Sequence, residues 1–123
     1  MINSDRKFQK DLNSGVLALV LLATLANSPE DLYGYEIAKR LREQSGEGSP
    51  FAEGSLYPVL RSLSTAGWLS SRVVPSYVGP PRRYYRITPT GREVLADRLA
   101  RWRETRDFVE GCTAGLSAAI LER

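Results

Sequence analysis

A chain of 123 residues, 42% hydrophobic and 25% charged, has the make-up of one ordinary globular domain, and folding should remove roughly 65% of its extended surface from water. It contains no histidine and a single cysteine, Cys112, which excludes a zinc cluster, an intramolecular disulfide and a Ser-His-Asp relay and implies neither a metal nor a cofactor. The formal net charge is only +3, and the cysteine usage gives no sign of an oxidising compartment, so a cytoplasmic protein is expected.

Residues 5–26 read as one helix, capped by Asn3 or Ser4, polar in its first half and almost wholly apolar in its second. The apolar run over 16–23, behind Arg6, Lys7 and Lys10, superficially resembles a signal peptide. Asp5 and Asp11 interrupt the positive segment, and the run is far short of the ~20 residues that span a bilayer, so a buried helix without membrane association is expected. Pro29 breaks the chain into a loop over 27–31. A second helix is predicted from about Tyr33 to Ser45, with Ile37 and Leu41 on its inner face and Lys39, Arg40, Arg42 and Glu43 largely outside. The stretch 46–50, rich in Gly, Ser and Pro, ends it.

A third helix over 53–66 places Leu56, Val59, Leu60 and Leu63 at i, i+3, i+4 and i+7. Ser55, Tyr57, Pro58, Arg61 and Ser62 are left facing outward, with Pro58 tolerable only in the first turn, and Gly67 is a left-handed terminator. Residues 68–74 and 83–88 alternate as β-branched and aromatic runs and should form an antiparallel hairpin, joined by an exposed, mobile loop over 75–81. Thr88 and Pro89 look like an N-cap and first helical position. The fourth helix, if it runs to about Leu121, would reach about 50 Å, with Leu95, Leu99, Trp102, Val109, Cys112 and Leu116 as an apolar seam that wants a partner. Gly111 and Gly115 weaken it, leaving a kink or an end near Glu110 as the alternative.

Three helices followed by a two-stranded hairpin is the order of a winged helix-turn-helix, in which the third helix enters the DNA major groove and the hairpin touches the backbone or minor groove. The expected fold is therefore mainly α with a small β-hairpin: a winged helix-turn-helix over 1–88 and a C-terminal dimerisation helix over 89–123, as one compact unit. Charge agrees with that order. Between Gly54 and Arg92 the chain carries Arg61, Arg72, Arg82, Arg83, Arg86 and Arg92 with no Asp, Glu or Lys, while the carboxylates fall in segments expected to face away from DNA. Arginine suits phosphate because its planar fork donates two parallel hydrogen bonds and stays charged.

Three segments, Tyr33-Gly34-Tyr35-Glu36-Ile37-Ala38, Gly54-Ser55-Leu56-Tyr57-Pro58-Val59-Leu60 and Arg82-Arg83-Tyr84-Tyr85-Arg86-Ile87-Thr88-Pro89-Thr90-Gly91, resemble the signature segments of the PadR family of bacterial transcriptional regulators, and the likeness runs from about Val16 to Leu95. A single helix after the wing is similar to the compact subgroup of that family. The resemblance implies a homodimeric repressor that leaves a pseudo-palindromic operator when a small molecule, often phenolic or drug-like, binds. One departure stands out: the family's Leu-Glu-x-x-Gly at the end of the third helix is Leu63-Ser64-Thr65-Ala66-Gly67 here, so a charge is missing.

Ser55, Tyr57 and Arg61, with Pro58 beside them, match the family's groove-facing positions, although Tyr57 is also suited to packing against the wing. Tyr35 and Lys39 are placed to reach phosphates from the second helix, with core packing as the other reading of Tyr35. Arg82 and Arg83 at the wing base are the strongest phosphate candidates; Tyr84 either follows them to the backbone or packs beneath, and Tyr85 and Ile87 fill the core. A tryptophan in a twofold seam is duplicated by the axis, and two such plates sandwich a flat ligand. Trp102 resembles the tryptophan of the family's multidrug-sensing members, with Leu17, Leu21, Leu99 and Phe108 as apolar walls; interface packing alone is the other reading. Cys112 has no neighbour to lower its pKa and reads as interface packing. The competing function is a winged-helix module that docks an acidic protein without specific DNA binding. An enzyme is disfavoured, because no nucleophile-base pair, metal cluster or phosphate loop is present.

Overall fold

The computed structural model describes residues 2–45, 51, 53–116 and 118–121; the predicted break at 46–50 lies outside them. Six α-helices and three strands follow in the order α1 (Ile2–Asn13), α2 (Val16–Ala26), β1 (Leu32–Tyr33), α3 (Gly34–Ser45), α4 (Leu56–Thr65), β2 (Leu69–Val74), β3 (Arg82–Ile87), α5 (Pro89–Thr113) and α6 (Ala118–Leu121), with one 3₁₀ turn at Glu53–Ser55.

The first predicted helix is in fact two. Gly15 takes φ +84°, a left-handed conformation that glycine adopts without a steric cost, and it separates polar α1 from apolar α2. The helix starts at Ile2, so Asn3 and Ser4 lie inside it rather than capping it. In α2, Leu17, Leu21, Leu22 and Leu25 are buried, and this helix packs against α3, α4, α5 and β3. With Leu32, Ile37, Leu41, Leu56, Leu60, Leu63, Leu69, Tyr85 and Ile87 they form a single core.

Tyr33 is not the first residue of the second predicted helix but the end of a short strand. It pairs with Tyr84, and Leu32 with Tyr85, so the hairpin becomes a three-stranded antiparallel sheet in the order β1-β3-β2. The Tyr33 N–H donates to the Glu36 carboxylate at 3.1 Å, a reach back over the first turn that satisfies an otherwise orphaned donor at the start of α3.

Helix α4 keeps the predicted inner face, and Pro58 is its third residue. It ends as glycine dictates: Gly67 has φ +83°, its N–H donates to the Ser64 carbonyl at 3.1 Å and the Trp68 N–H to the Leu63 carbonyl at 3.0 Å, a Schellman closure. The wing then pairs Leu69 with Ile87 through to Val74 with Arg82. The Thr88 hydroxyl accepts from the Gly91 N–H at 3.0 Å and donates to the Gly67 carbonyl at 2.7 Å, tying the start of α5 to the end of α4. Gly91 is pressed against the Trp68 carbonyl so closely that any Cβ there would collide with it. Helix α5 ends at Thr113, nearer the early stop than Leu121, and a turn at Ala114–Gly115 precedes α6. Its 25 residues span about 37 Å, and from Ala100 onward every residue of the helix is exposed.

Candidate nucleic-acid interface

Between α4 and the wing lies an open groove of about 850 Å³. One wall is Tyr57, Arg61, Ser64 and Thr65 from α4; the other is Ser71, Pro81, Arg82, Arg83 and Tyr85, with Tyr33, Gly34 and Tyr35 closing one end. Among the described residues no carboxylate lines it. The Arg83 guanidinium donates to the Ser71 hydroxyl at 3.0 Å, which orients it without cancelling its charge. Arg82 stacks on the Tyr33 ring, 4.6 Å from its centroid, a cation–π contact that likewise leaves the charge free. Burial raises the Tyr85 phenol above its usual range, opposed by the nearby Arg83 and Arg61 charges, so this hydroxyl stays protonated near neutral pH.

Tyr57 lies across the start of α3. A Cβ on Gly34 would fall 2.5 Å from its ring and 2.7 Å from its hydroxyl oxygen, so the missing side chain is the seat of the tyrosine, half of which stays exposed on the groove side. Ser64 occupies the position where the resembled family has glutamate, and its hydroxyl is buried without a hydrogen-bond partner among the described residues. With serine there, the groove holds no acid to neutralise Arg61 or Arg83.

Tyr33 and Tyr35, at the end of the groove, also border the other face of the sheet, which is organised differently. Tyr33 stacks on Tyr35 at 6.3 Å and meets Tyr84 at 5.4 Å, while Arg72 covers the Tyr84 ring at 5.1 Å. Asp31 accepts from Arg86 Nε at 2.7 Å and Arg72 Nε at 3.1 Å, joining the segment before β1 to both long strands. The hydrogen bond from Arg86, and after it that from Arg72, holds its carboxyl below the usual 3.8 despite partial burial. This corrects the expectation that the carboxylates avoid the arginine-rich surface: Asp31 takes two of the six arginines, leaving Arg61, Arg82 and Arg83 at the groove.

Of the residues singled out in the sequence, the groove brings together Tyr35, Tyr57, Arg61, Arg82 and Arg83. Pro58 lies on the outer surface of α4 beside Arg61 and Ser62, and Lys39 is exposed one turn beyond Tyr35 on α3. Ser55 borders a separate hollow between α1, α2 and the start of α4. Tyr84 is half-buried on the Asp31 side of the sheet. Trp102 and Phe108 are 40% and 72% exposed on α5, Leu99 is half-buried, and Leu17 and Leu21 lie in the core. Asp31 and Ser71 carry no local sign in the sequence; Ser64 stands out there only as the departure from the family's glutamate, and Gly34 only as part of a signature segment.

The chain matches the Transcriptional regulator PadR-like family over residues 21–97. It belongs to that family. A PadR family transcriptional regulator from Eggerthella lenta DSM 2243 superposes with a TM-score of 0.75 at 28% identity, covering 94% of this chain and 100% of that one. A transcriptional regulator from Clostridium thermocellum gives 0.74 at 29% identity over 82% of this chain and 96% of its own. Bacillus subtilis PadR, whose structure is a complex with operator DNA, gives 0.60 at 26% identity over 68% of this chain and 47% of its own. The protein is thus a PadR-like transcriptional regulator of the winged-helix type. Among the described residues there is no cluster of three or more His, Cys, Asp or Glu side chains fit for a metal, and no helix long and apolar enough to cross a membrane.

Proposed function

We propose that this chain is a dimeric, cytoplasmic repressor that places α4 in the major groove of a pseudo-palindromic operator and its wing on the flanking backbone. The observation that carries this reading is the acid-free groove in which Arg61, Arg82 and Arg83 converge, a surface chemically matched to phosphates. Tyr35, Lys39, Ser55, Tyr57, Pro58 and Tyr84 complete the proposed contact set. Phe8 and Leu12 on α1 and Trp102, Phe108 and Val109 on α5 are exposed apolar side chains, and we assign them to contacts with a second copy, which makes 89–123 the dimerisation unit beside the winged unit 1–88.

In this reading two copies of α4 must meet successive major grooves about 34 Å apart. An aromatic effector held between paired Trp102 rings, with Leu99 and Phe108 as its apolar walls, alters the angle between the α5 helices and spoils that spacing; Leu17 and Leu21, expected as further walls, are closed in the core and cannot touch it. The deciding measurement is fluorescence anisotropy with labelled DNA from upstream of the protein's own gene and with shuffled DNA, across a salt series. Tight, sequence-selective binding supports the proposal. Binding that is weak and indifferent to sequence at physiological salt overturns it and leaves either a non-specific DNA binder or a module that docks an acidic protein.

A further inference from the structure

The inner side of α1 is the reverse of what a helix lying against a core usually presents. Arg6, Gln9, Lys10 and Asn13 recur at i, i+3, i+4 and i+7 and so share one side of the helix, and that side lines a hollow of about 720 Å³ beside α2 and the start of α4. The apolar Phe8 and Leu12, 66% and 53% exposed, are turned away from it and are the side chains assigned above to a second copy. Ala18, Phe51 and Val59, all half-buried, make the floor of the hollow, with the buried Leu17 at its base. Two cations and two amides thus stand over an apolar floor.

The two charges are uncancelled. Among the described residues neither Arg6 nor Lys10 is in an ion pair and no carboxylate lines the hollow; Asp11, the residue after Lys10, accepts instead from Lys7 at 2.8 Å. Gln9 donates one amide N–H to Asn13 Oδ1 at 2.8 Å, and its second amide N–H is a further donor. Cations one helical turn apart are neighbours, so both can donate to the two oxygens of a single carboxylate in charge-assisted hydrogen bonds. Below them the floor is aliphatic except for Phe51, which offers no pair of rings to sandwich a flat ligand and suits a flexible hydrocarbon chain. The volume is that of a small-molecule site, and its chemistry is complementary to an amphiphile with one negative end.

The geometry points to a binding site for a free, single-chain aliphatic carboxylate, its head on Arg6 and Lys10 and its tail along Ala18, Phe51 and Val59. The site lies within one chain, is separate from the paired Trp102 rings, and does not depend on the DNA-binding reading. It is tested with the full chain and decanoate, below its micelle concentration, by isothermal titration calorimetry. One decanoate should bind per chain, and octanoate about tenfold more weakly for the loss of two methylenes. The double variant Arg6→Ala/Lys10→Ala, in exposed positions that leave folding intact by circular dichroism, should bind decanoate about tenfold more weakly than wild type. Decanol, which lacks the charge, should bind the variant and the wild type alike, and Lys7→Ala should bind decanoate as the wild type does. No saturable binding by the wild-type protein, equal affinity for octanoate and decanoate, or undiminished affinity in the double variant overturns the site. A loss in Trp102→Ala equal to that in the double variant also overturns it, by moving the carboxylate to the α5 seam. A bilayer is the other source of such a head and tail: co-sedimentation of the wild type with phosphatidylglycerol vesicles, lost in the double variant, overturns the free fatty acid in favour of a membrane surface.

Discussion

Six arginines in an acid-free stretch look equivalent until their partners are known. Arg72 and Arg86 share Asp31, whose side chain is 10% exposed, whereas Arg83 bonds the neutral Ser71 and Arg82 stacks on the neutral Tyr33, with no ion pair to either among the described residues. Each phosphate contact removed should lower the slope of log affinity against log salt by about 1. Arg82→Ala and Arg83→Ala are therefore expected to reduce it by that amount in a DNA-binding titration, and Arg72→Ala to leave it unchanged. The same carboxylate makes a pH prediction. Its folded pKa lies below 3.8, so its contribution to stability is full above that value and is lost as the pH falls through the lower folded one. Asp31→Asn should cost about 1 kcal/mol in urea denaturation at pH 7, with the gap to wild type constant down to about pH 5 and closing below 3.8. A third expectation concerns the seat of Tyr57. Gly34→Ala should push the half-exposed Tyr57 ring out of its seat at a cost of under about 1 kcal/mol, and urea midpoints should show no such cost in a Tyr57→Ala background.

Where helices and strands begin and end was legible only when the chain itself marks it. Thr88-Pro89 and Gly67 were read correctly because a cap, a proline and a left-handed glycine act within a turn of their own position. The break at Gly15 was missed because apolar α2 follows polar α1 without a proline, and a glycine within a helical pattern is ordinarily tolerated. β1 was missed for another reason: two residues have no period, and only their pairing with Tyr84 and Tyr85 makes them a strand. That pairing in turn sets which face of the sheet Asp31 reaches, so the loss of two arginines to it was hidden for the same physical reason. Gly91 tests how closely the elements abut. Gly91→Ala drives a methyl into the Trp68 carbonyl and should cost about 3 kcal/mol in a urea titration, more than the roughly 1 kcal/mol expected when the neighbouring cap is lost in Thr88→Ala.

At the scale of the molecule, α2, α3, α4, the sheet and the start of α5 close one core, while α1 and the outer half of α5 contribute no buried side chain to it. Phe8 and Leu12 are 66% and 53% exposed, so a Phe8→Ser/Leu12→Ser variant loses little within its own chain. In the dimeric reading that variant should sediment as a monomer at micromolar concentration with its helix content preserved, and the wild-type melting temperature should rise with protein concentration. The frame of the groove between α4 and the wing was visible in the sequence because its cations and aromatics cluster along the chain. Its supports Asp31, Gly34 and Ser71 were not, since each acts on a residue well removed from it in sequence.

The joint between wing and α5 has no slack. The Thr88 N–H donates to the Trp68 carbonyl at 3.0 Å, its hydroxyl holds the Gly67 carbonyl, and Gly91 sits flush on the same strand end. No residue between Ile87 and Pro89 can absorb a bend. Trp102 lies about 20 Å along the helix from this pivot, so a sideways push of about 1 Å there is a tilt of about 3° at the joint. That tilt is delivered to the last turn of α4 and the first residue of β2 together. The protein thus carries a stiff lever whose short arm is the groove between α4 and the wing.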